Sequence, residues 1–222
     1  MQNVPNMKRV RHTFALLMPF HRPFLRCAAL LLLVLIAGCQ AELEYPPGIL
    51  APNDPLQTSV GDVPLLSKGD YVIEPLARFE VEARVLSKKR YRSGRESDLS
   101  PIDLALGWGP MSDQAVLDQI DISQARRFYF WQATQLPIPQ RDISQHSSNM
   151  HMIPANDEVR AALLKVRTGE IVRFSGYLVQ VRGKDGFRWR SSMKRTDVGN
   201  GACELVWVEE ILSYEALTPY SL

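Results

Sequence analysis

The chain has 222 residues and a formal net charge of +2, which leaves room for an N-terminal address and one domain of ordinary size but excludes a second full domain. The cations Lys8, Arg9, Arg11, Arg22 and Arg26 all precede Cys39, where no acid occurs; without residues 1–38 the balance is 21 cations against 24 acids, a formal −3. The mature part therefore has no global electrostatic reason to bind nucleic acid, because phosphate neutralisation needs clustered cations in excess.

The eleven residues Ala28–Gly38 are apolar throughout. At 1.5 Å rise per residue they are too short for a hydrocarbon core of about 30 Å, which takes about 20 helical residues. With five cations before them and the small pair Ala37-Gly38 at their end, they read as the apolar part of a cleavable export signal. Leu35-Ile36-Ala37-Gly38-Cys39 resembles a bacterial lipobox. That resemblance covers the first 39 residues and implies a diacylglyceryl thioether on Cys39, an acyl group such as palmitate on its amine, and cleavage before it. Two or three chains at roughly 0.8 kcal/mol per buried methylene give firm anchoring. Gln40 after the cysteine is compatible, in lipoproteins of similar type, with sorting to the outer membrane, facing the periplasm. Cys27 would then leave with the signal and Cys39 would be alkylated. Cys203 would be the remaining thiol, too few for an intrachain disulfide.

Residues 39–69 carry Pro46, Pro47, Pro52, Pro55 and Pro64 with little apolar periodicity and read as an extended tether. A single domain is expected over 70–222. In Phe79-Glu80-Val81-Glu82-Ala83-Arg84-Val85 the alternation predicts a half-buried strand with Phe79, Val81, Ala83 and Val85 on one face. Ser100-Pro101-Ile102-Asp103 has the hydroxyl, proline and acid of a helix start, cut short by Gly107-Trp108-Gly109-Pro110. Ser112-Asp113 can cap a second short helix through Val116, Leu117 and Ile120. The aromatic run Arg126–Trp131 predicts a strand.

Residues 133–154 show no clear period and read as a long loop, a feature that is often functional. Asn156-Asp157-Glu158 opens a helix with Val159, Ala162, Leu163 and Val166 on one side, stopped at Thr168-Gly169. Strands follow over Ile171–Val181, Phe187–Ser192 and Ala202–Ile211, joined by turns at Asp185-Gly186 and Asn200-Gly201 into an antiparallel meander. Gly176 inside the first of these suggests a bulge. Residues Lys165–Val179 loosely resemble the first strand of a small barrel. The expected fold class is α+β, a small curled antiparallel sheet, OB-like or SH3-like, with a few short helices.

Both histidines of the mature chain, His146 and His151, fall in the predicted loop. Imidazole suits proton transfer near neutral pH and borderline metals, but no acid or cysteine lies between the two, so no metal centre and no cofactor are expected. A nucleophile would be Cys203 or Ser147 with His151 or His146 as base, oriented by Asp142, Asn149 or Glu204. Cys203 alternates with Leu205 and Trp207, which points it toward a core where a thiol is inert. Arg188-Trp189-Arg190 with Arg195 offers Arg forks and a stacking face for an anionic ligand, and Trp108 on its glycine turn either plugs the core or lines a cleft.

Taken together, Gly107–Asp113, His146–His151 and Gly201–Glu204 resemble a bacterial protein family of unknown function, which carries no activity over. The chain is expected to be a membrane-anchored envelope lipoprotein whose domain binds a partner protein or cell-wall ligand. The alternative is an envelope hydrolase or metal-dependent enzyme built on His146, His151 and Cys203 or Ser147.

Overall fold

A computed structural model describes residues 43–194 and 203–215. The chain divides between residues 41 and 42, and everything described belongs to the second part. The lipobox with Cys39, the Asn200-Gly201 turn and Arg195 lie outside the described residues.

The fold is α+β. Ten strands are described: β1 (Leu56–Ser59), β2 (Leu66–Lys68), β3 (Tyr71–Arg90), β4 (Ile102–Gly107), β5 (Asp121–Ala125), β6 (Phe128–Gln132), β7 (Ser147–Pro154), β8 (Ile171–Gly183), β9 (Arg188–Arg190) and β10 (Glu204–Tyr214). Four α-helices accompany them: α1 (Arg95–Leu99), α2 (Gln114–Leu117), α3 (Gln140–Gln145) and α4 (Asp157–Lys165). Among the described residues, no helix is long and apolar enough to cross a membrane.

β3 is the organising element. Its first two thirds pair with β8 from Tyr71↔Gly183 to Arg84↔Ile171, and its end pairs with β4 from Arg84↔Gly107 to Arg90↔Ile102. One strand can serve two neighbours because its register shifts between Pro75 and Ala77 and again between Val85 and Ser87, and each such irregularity bends the strand. A ring of five strands results, in the order β3-β4-β7-β10-β8 and back to β3. Numbered within the ring this is first, second, third, fifth, fourth, with α4 between third and fourth, so Lys165–Val179, which resembles the first strand of a small barrel, instead holds the end of α4 and the start of the fourth ring strand. β7 and β10 run parallel, from Glu204↔Met150 to Val208↔Pro154; every other pair is antiparallel, so the expectation of an antiparallel sheet holds except at this seam.

Alternation decides what fills the ring. Phe79, Val81, Ala83 and Val85 of β3, Ile102, Leu104 and Leu106 of β4, and Met150 and Met152 of β7 share one buried cluster with Trp108 and with Val159, Leu163 and Val166 on and after α4. The capping of α4 follows its sequence: Asn156 Oδ1 accepts from Val159 N at 2.8 Å, and Gly169 ends the turn at φ +88. Asp113 likewise caps α2 by accepting from Ala115 N at 2.9 Å. Gly176 sits where β10 crosses β8; a methyl group there would lie 1.8 Å from the Trp207 carbonyl oxygen, so the strands meet only because the side chain is missing.

Several expectations are corrected. The segment from Ile102 forms β4 and not a helix, because Ile102, Leu104 and Leu106 fill the ring while pairing with β3 and β7 satisfies both backbone edges, and tertiary context outweighs a local cap signature. The helix lies just before it, at α1. Residues 133–154 are not a loop but hold α3 and β7; β7 is buried on both faces, so its period is hidden. Arg126 and Arg127 are the turn of the β5–β6 hairpin and not part of a strand, both at positive φ (52 and 70). Glycine or asparagine usually signals such a turn. Nor do β8, β9 and β10 form a meander, since β10 passes the short β9 to pair with β8 and β7. The proline-rich stretch docks in part. Tyr45 and Ala51 are buried, Tyr45 N donates to Gln114 Oε1 at 3.0 Å and Ala51 N to Ser112 Oγ at 3.0 Å, and β1 and β2 add to the edge of β3.

Candidate functional site

Two places in the domain carry groups that chemistry or binding could use. The first is the outer face of β4 and β7. Residues that alternate away from the ring interior there are Asp103 on β4 and Ser147, Asn149 and His151 on β7. The β5–β6 hairpin, inserted between the two strands, folds back over them. At its turn, the Arg127 guanidinium reaches under the hairpin: Nη1 donates to Asp103 Oδ1 at 2.6 Å and Nη2 to the Ser100 carbonyl at 3.0 Å, with Glu96 at 3.4 Å from Nε. It also stacks on Tyr91 at 3.7 Å and approaches Trp189 at 5.6 Å. The Arg127 main chain is held as well, its N–H donating to the Tyr91 hydroxyl at 3.1 Å and its carbonyl accepting from Asn149 Nδ2 at 2.9 Å. Gln124 completes the network by donating to Asn149 Oδ1 at 2.7 Å.

His151 lies in this cluster. Its Nδ1 is 3.0 Å from Asp103 Oδ1, but the alignment falls short of a hydrogen bond and Asp103 Oδ2 also lacks one. The imidazole packs against Trp189, centroids 4.9 Å apart. Asp103 is wholly buried and His151 is 4 % exposed. Burial, and then the negative charge of Asp103, hold the Tyr91 phenol above its ordinary range.

Besides His151, Cys203 reaches this cluster: its Sγ lies 3.8 Å from the Arg127 carbonyl. Burial pushes the thiol up to about 11, ahead of any other influence, so it is protonated and a poor nucleophile at neutral pH. Ser147 donates to the Ile143 carbonyl at 2.6 Å and meets the Tyr129 hydroxyl at 2.7 Å. His151 lies four positions further along extended β7, about 13 Å at 3.3 Å per residue. His146 ends α3, with Nδ1 donating to the Asp142 carbonyl at 2.8 Å. Its ring lies against Gly109, whereas that of His151 faces Asp103 and Trp189, so the two imidazoles have different surroundings. Among the described residues no group of three His, Cys, Asp or Glu side chains is placed to hold a metal. Glu204 is buried and accepts from Ser148.

The binding candidates are also separated. Trp108 is 1 % exposed in the ring core, so its indole plugs the core and presents no stacking face. Trp189 is engaged with His151 and Arg127, whereas Arg188 and Arg190 on either side point to solvent, Arg190 donating to Gln180. No protein family, curated protein or solved structure matches the chain.

The second place was not anticipated from the sequence. At one end of the ring, beside the start of α4, lies a groove of about 1090 Å³. Its floor is the edge of the ring core, Val81, Val159 and Phe174 with Ile211. Leu56 and Leu212 also line it, 57 % and 69 % exposed. Asp54, Glu80, Glu82, Glu158, Glu209 and Glu210 face it, against Arg78 and Arg173. Arg78 pairs with Glu209 at 2.6 Å and Glu80 at 3.7 Å, and Glu82 accepts from the Tyr214 hydroxyl at 2.9 Å. Only a three-dimensional reading finds this site, because its lining comes from β1, β3, α4, β8 and β10.

Proposed function

We propose that this chain is a bacterial envelope lipoprotein, held by lipid on Cys39 at the outer membrane and facing the periplasm, and that its domain binds a protein partner. The observation that carries the binding reading is the contrast in how polar groups are used. Arg127, Asp103, Asn149 and Gln124 bond mainly to one another, to hold a hairpin on the ring, whereas the groove exposes leucines above a core-like floor. Exposed large apolar side chains beside a concave, charged rim are the usual mark of a docking surface. The signal-like N-terminus supports the location on chemical grounds alone, through its brief apolar stretch and the cysteine after it.

Both halves can be tested in cells. A Cys39→Ser chain is expected to leave the membrane fraction and to lose the acyl mass; a serine variant as firmly bound as the parent would sink the anchor. Photo-crosslinking from position 212 in intact envelopes is expected to trap a discrete protein adduct. Its absence under conditions where the anchored chain is abundant would count against the binding reading.

A further inference from the structure

We propose that the groove at the end of the ring takes a cationic, amphipathic segment of a protein partner, with apolar side chains on the floor and lysines or arginines at the rim. The inference rests on the binding reading above and is independent of the lipid anchor.

Three features of the groove select that occupant. Six carboxylates face it against two guanidinium groups, and Arg78 is already paired with Glu80 and Glu209. Glu158 and Glu210, both exposed, are left to act on whatever enters. Such a rim attracts cations and repels phosphate, anionic lipid and acidic glycan. The floor of Val81, Val159, Phe174 and Ile211 offers no oxygen or nitrogen ligand, so a bare metal ion or a polyamine would leave it unused. Leu56 and Leu212, exposed beside that floor, would gain most by being covered, since apolar burial contributes roughly 25 cal/mol per Å². Finally, about 1090 Å³ lies at the upper limit of drug-sized pockets, about 300–1,000 Å³, and fits a short peptide segment better than a small metabolite.

The test uses the full chain purified in a non-ionic detergent, with fluorescence anisotropy of three synthetic peptides: alternating lysine and leucine, alternating lysine and serine, and alternating glutamate and leucine. The lysine–leucine peptide is expected to bind, the lysine–serine peptide to bind about tenfold more weakly, and the glutamate–leucine peptide not to bind, a tenfold step being 1.4 kcal/mol. The pair Glu158→Lys and Glu210→Lys is expected to weaken the lysine–leucine complex about tenfold and to flatten its salt dependence. Leu56→Ser with Leu212→Ser should weaken it without changing that salt dependence. Circular dichroism checks that each variant keeps the parent's fold. Equal binding of the lysine–leucine and lysine–serine peptides, or unchanged affinity in the charge-reversed variant, would overturn the proposal. So would binding that appears only after residues 216–222 are removed, because the occupant would then be the chain itself. No binding of any peptide while position 212 still crosslinks a protein in envelopes would overturn the cationic occupant and leave the binding reading intact.

Discussion

The outer face of β4 and β7 and the groove at the end of the ring both concentrate charge, but they spend it in opposite ways. On the first, Arg127 and Asp103 are withdrawn from water and answered inside the chain, at 2.6 Å, with aromatic rings on the guanidinium faces. On the second, six carboxylates face two guanidinium groups, and Glu158 and Glu210 stay in solvent beside exposed leucines. A buried pair is expensive to break and contributes specificity to the fold, whereas an exposed excess costs the fold little and is free to act on a second molecule. Residue types that look catalytic in a sequence, here His151, Cys203 and Ser147, thus sit in or beside a buried polar cluster, while the groove proposed to take a partner is lined by residues that draw no notice.

The sharpest way to break this contrast is Asp103→Ala. It removes the shortest contact of a guanidinium that is only 12 % exposed and leaves it the Ser100 carbonyl and Glu96, so the loss should approach but not exceed the cost of about 3–5 kcal/mol for a fully broken buried pair; urea unfolding should show the loss, and a change below about 1 kcal/mol would mean that the cluster does not hold the hairpin.

Next comes Cys203. With its thiol raised from an ordinary 9.0 to about 11, the folded chain should hold about a hundredfold less thiolate than the unfolded chain below pH 9. Iodoacetamide should then label Cys203 about a hundredfold faster in urea, followed by mass mapping. Rapid labelling of the native chain at neutral pH would restore the nucleophile reading. Because folding raises this pKa, the fold is favoured in full below pH 9 and loses that contribution as pH climbs through about 11.

A smaller effect is expected for Tyr129→Phe. It removes the hydroxyl 2.7 Å from Ser147, leaving an acceptor unmet in a buried place at a cost of about 1 kcal/mol. Smallest are the groove substitutions: Glu158→Lys and Leu212→Ser should shift unfolding by no more than about 0.5 kcal/mol, although both are expected to weaken peptide binding. Stability losses like that of Asp103→Ala would make the groove part of the fold's framework.

Local chemistry was legible wherever one side chain speaks to its own backbone. Asn156 and Asp113 cap their helices as their residue types suggest, Gly169 and Gly186 turn the chain at positive φ, and the period-two run of β3 puts the expected four residues in the core. Legibility failed where burial is two-sided or a turn is imposed from outside. β7 sets Ser147, Asn149 and His151 against Met150 and Met152, but both faces are buried and the polar one is covered by the hairpin, and the arginine pair at 126 and 127 adopts a glycine-like backbone while Asp103, Tyr91 and Asn149 hold it there.

An apolar stretch, its flanking cations and the cysteine that follows are matters of composition and order, so they can be read along one dimension, as can which face of a strand meets the core. Which strands become neighbours, in what direction and at what register cannot be read that way, because a period of two sets the face and not the partner. The parallel seam of β7 and β10, the meeting of Arg127 with Asp103 across 24 residues, and a groove assembled from five separate elements all follow from closing the ring. Closure is a property of the whole domain, since each contact exists only when every other strand is already in place.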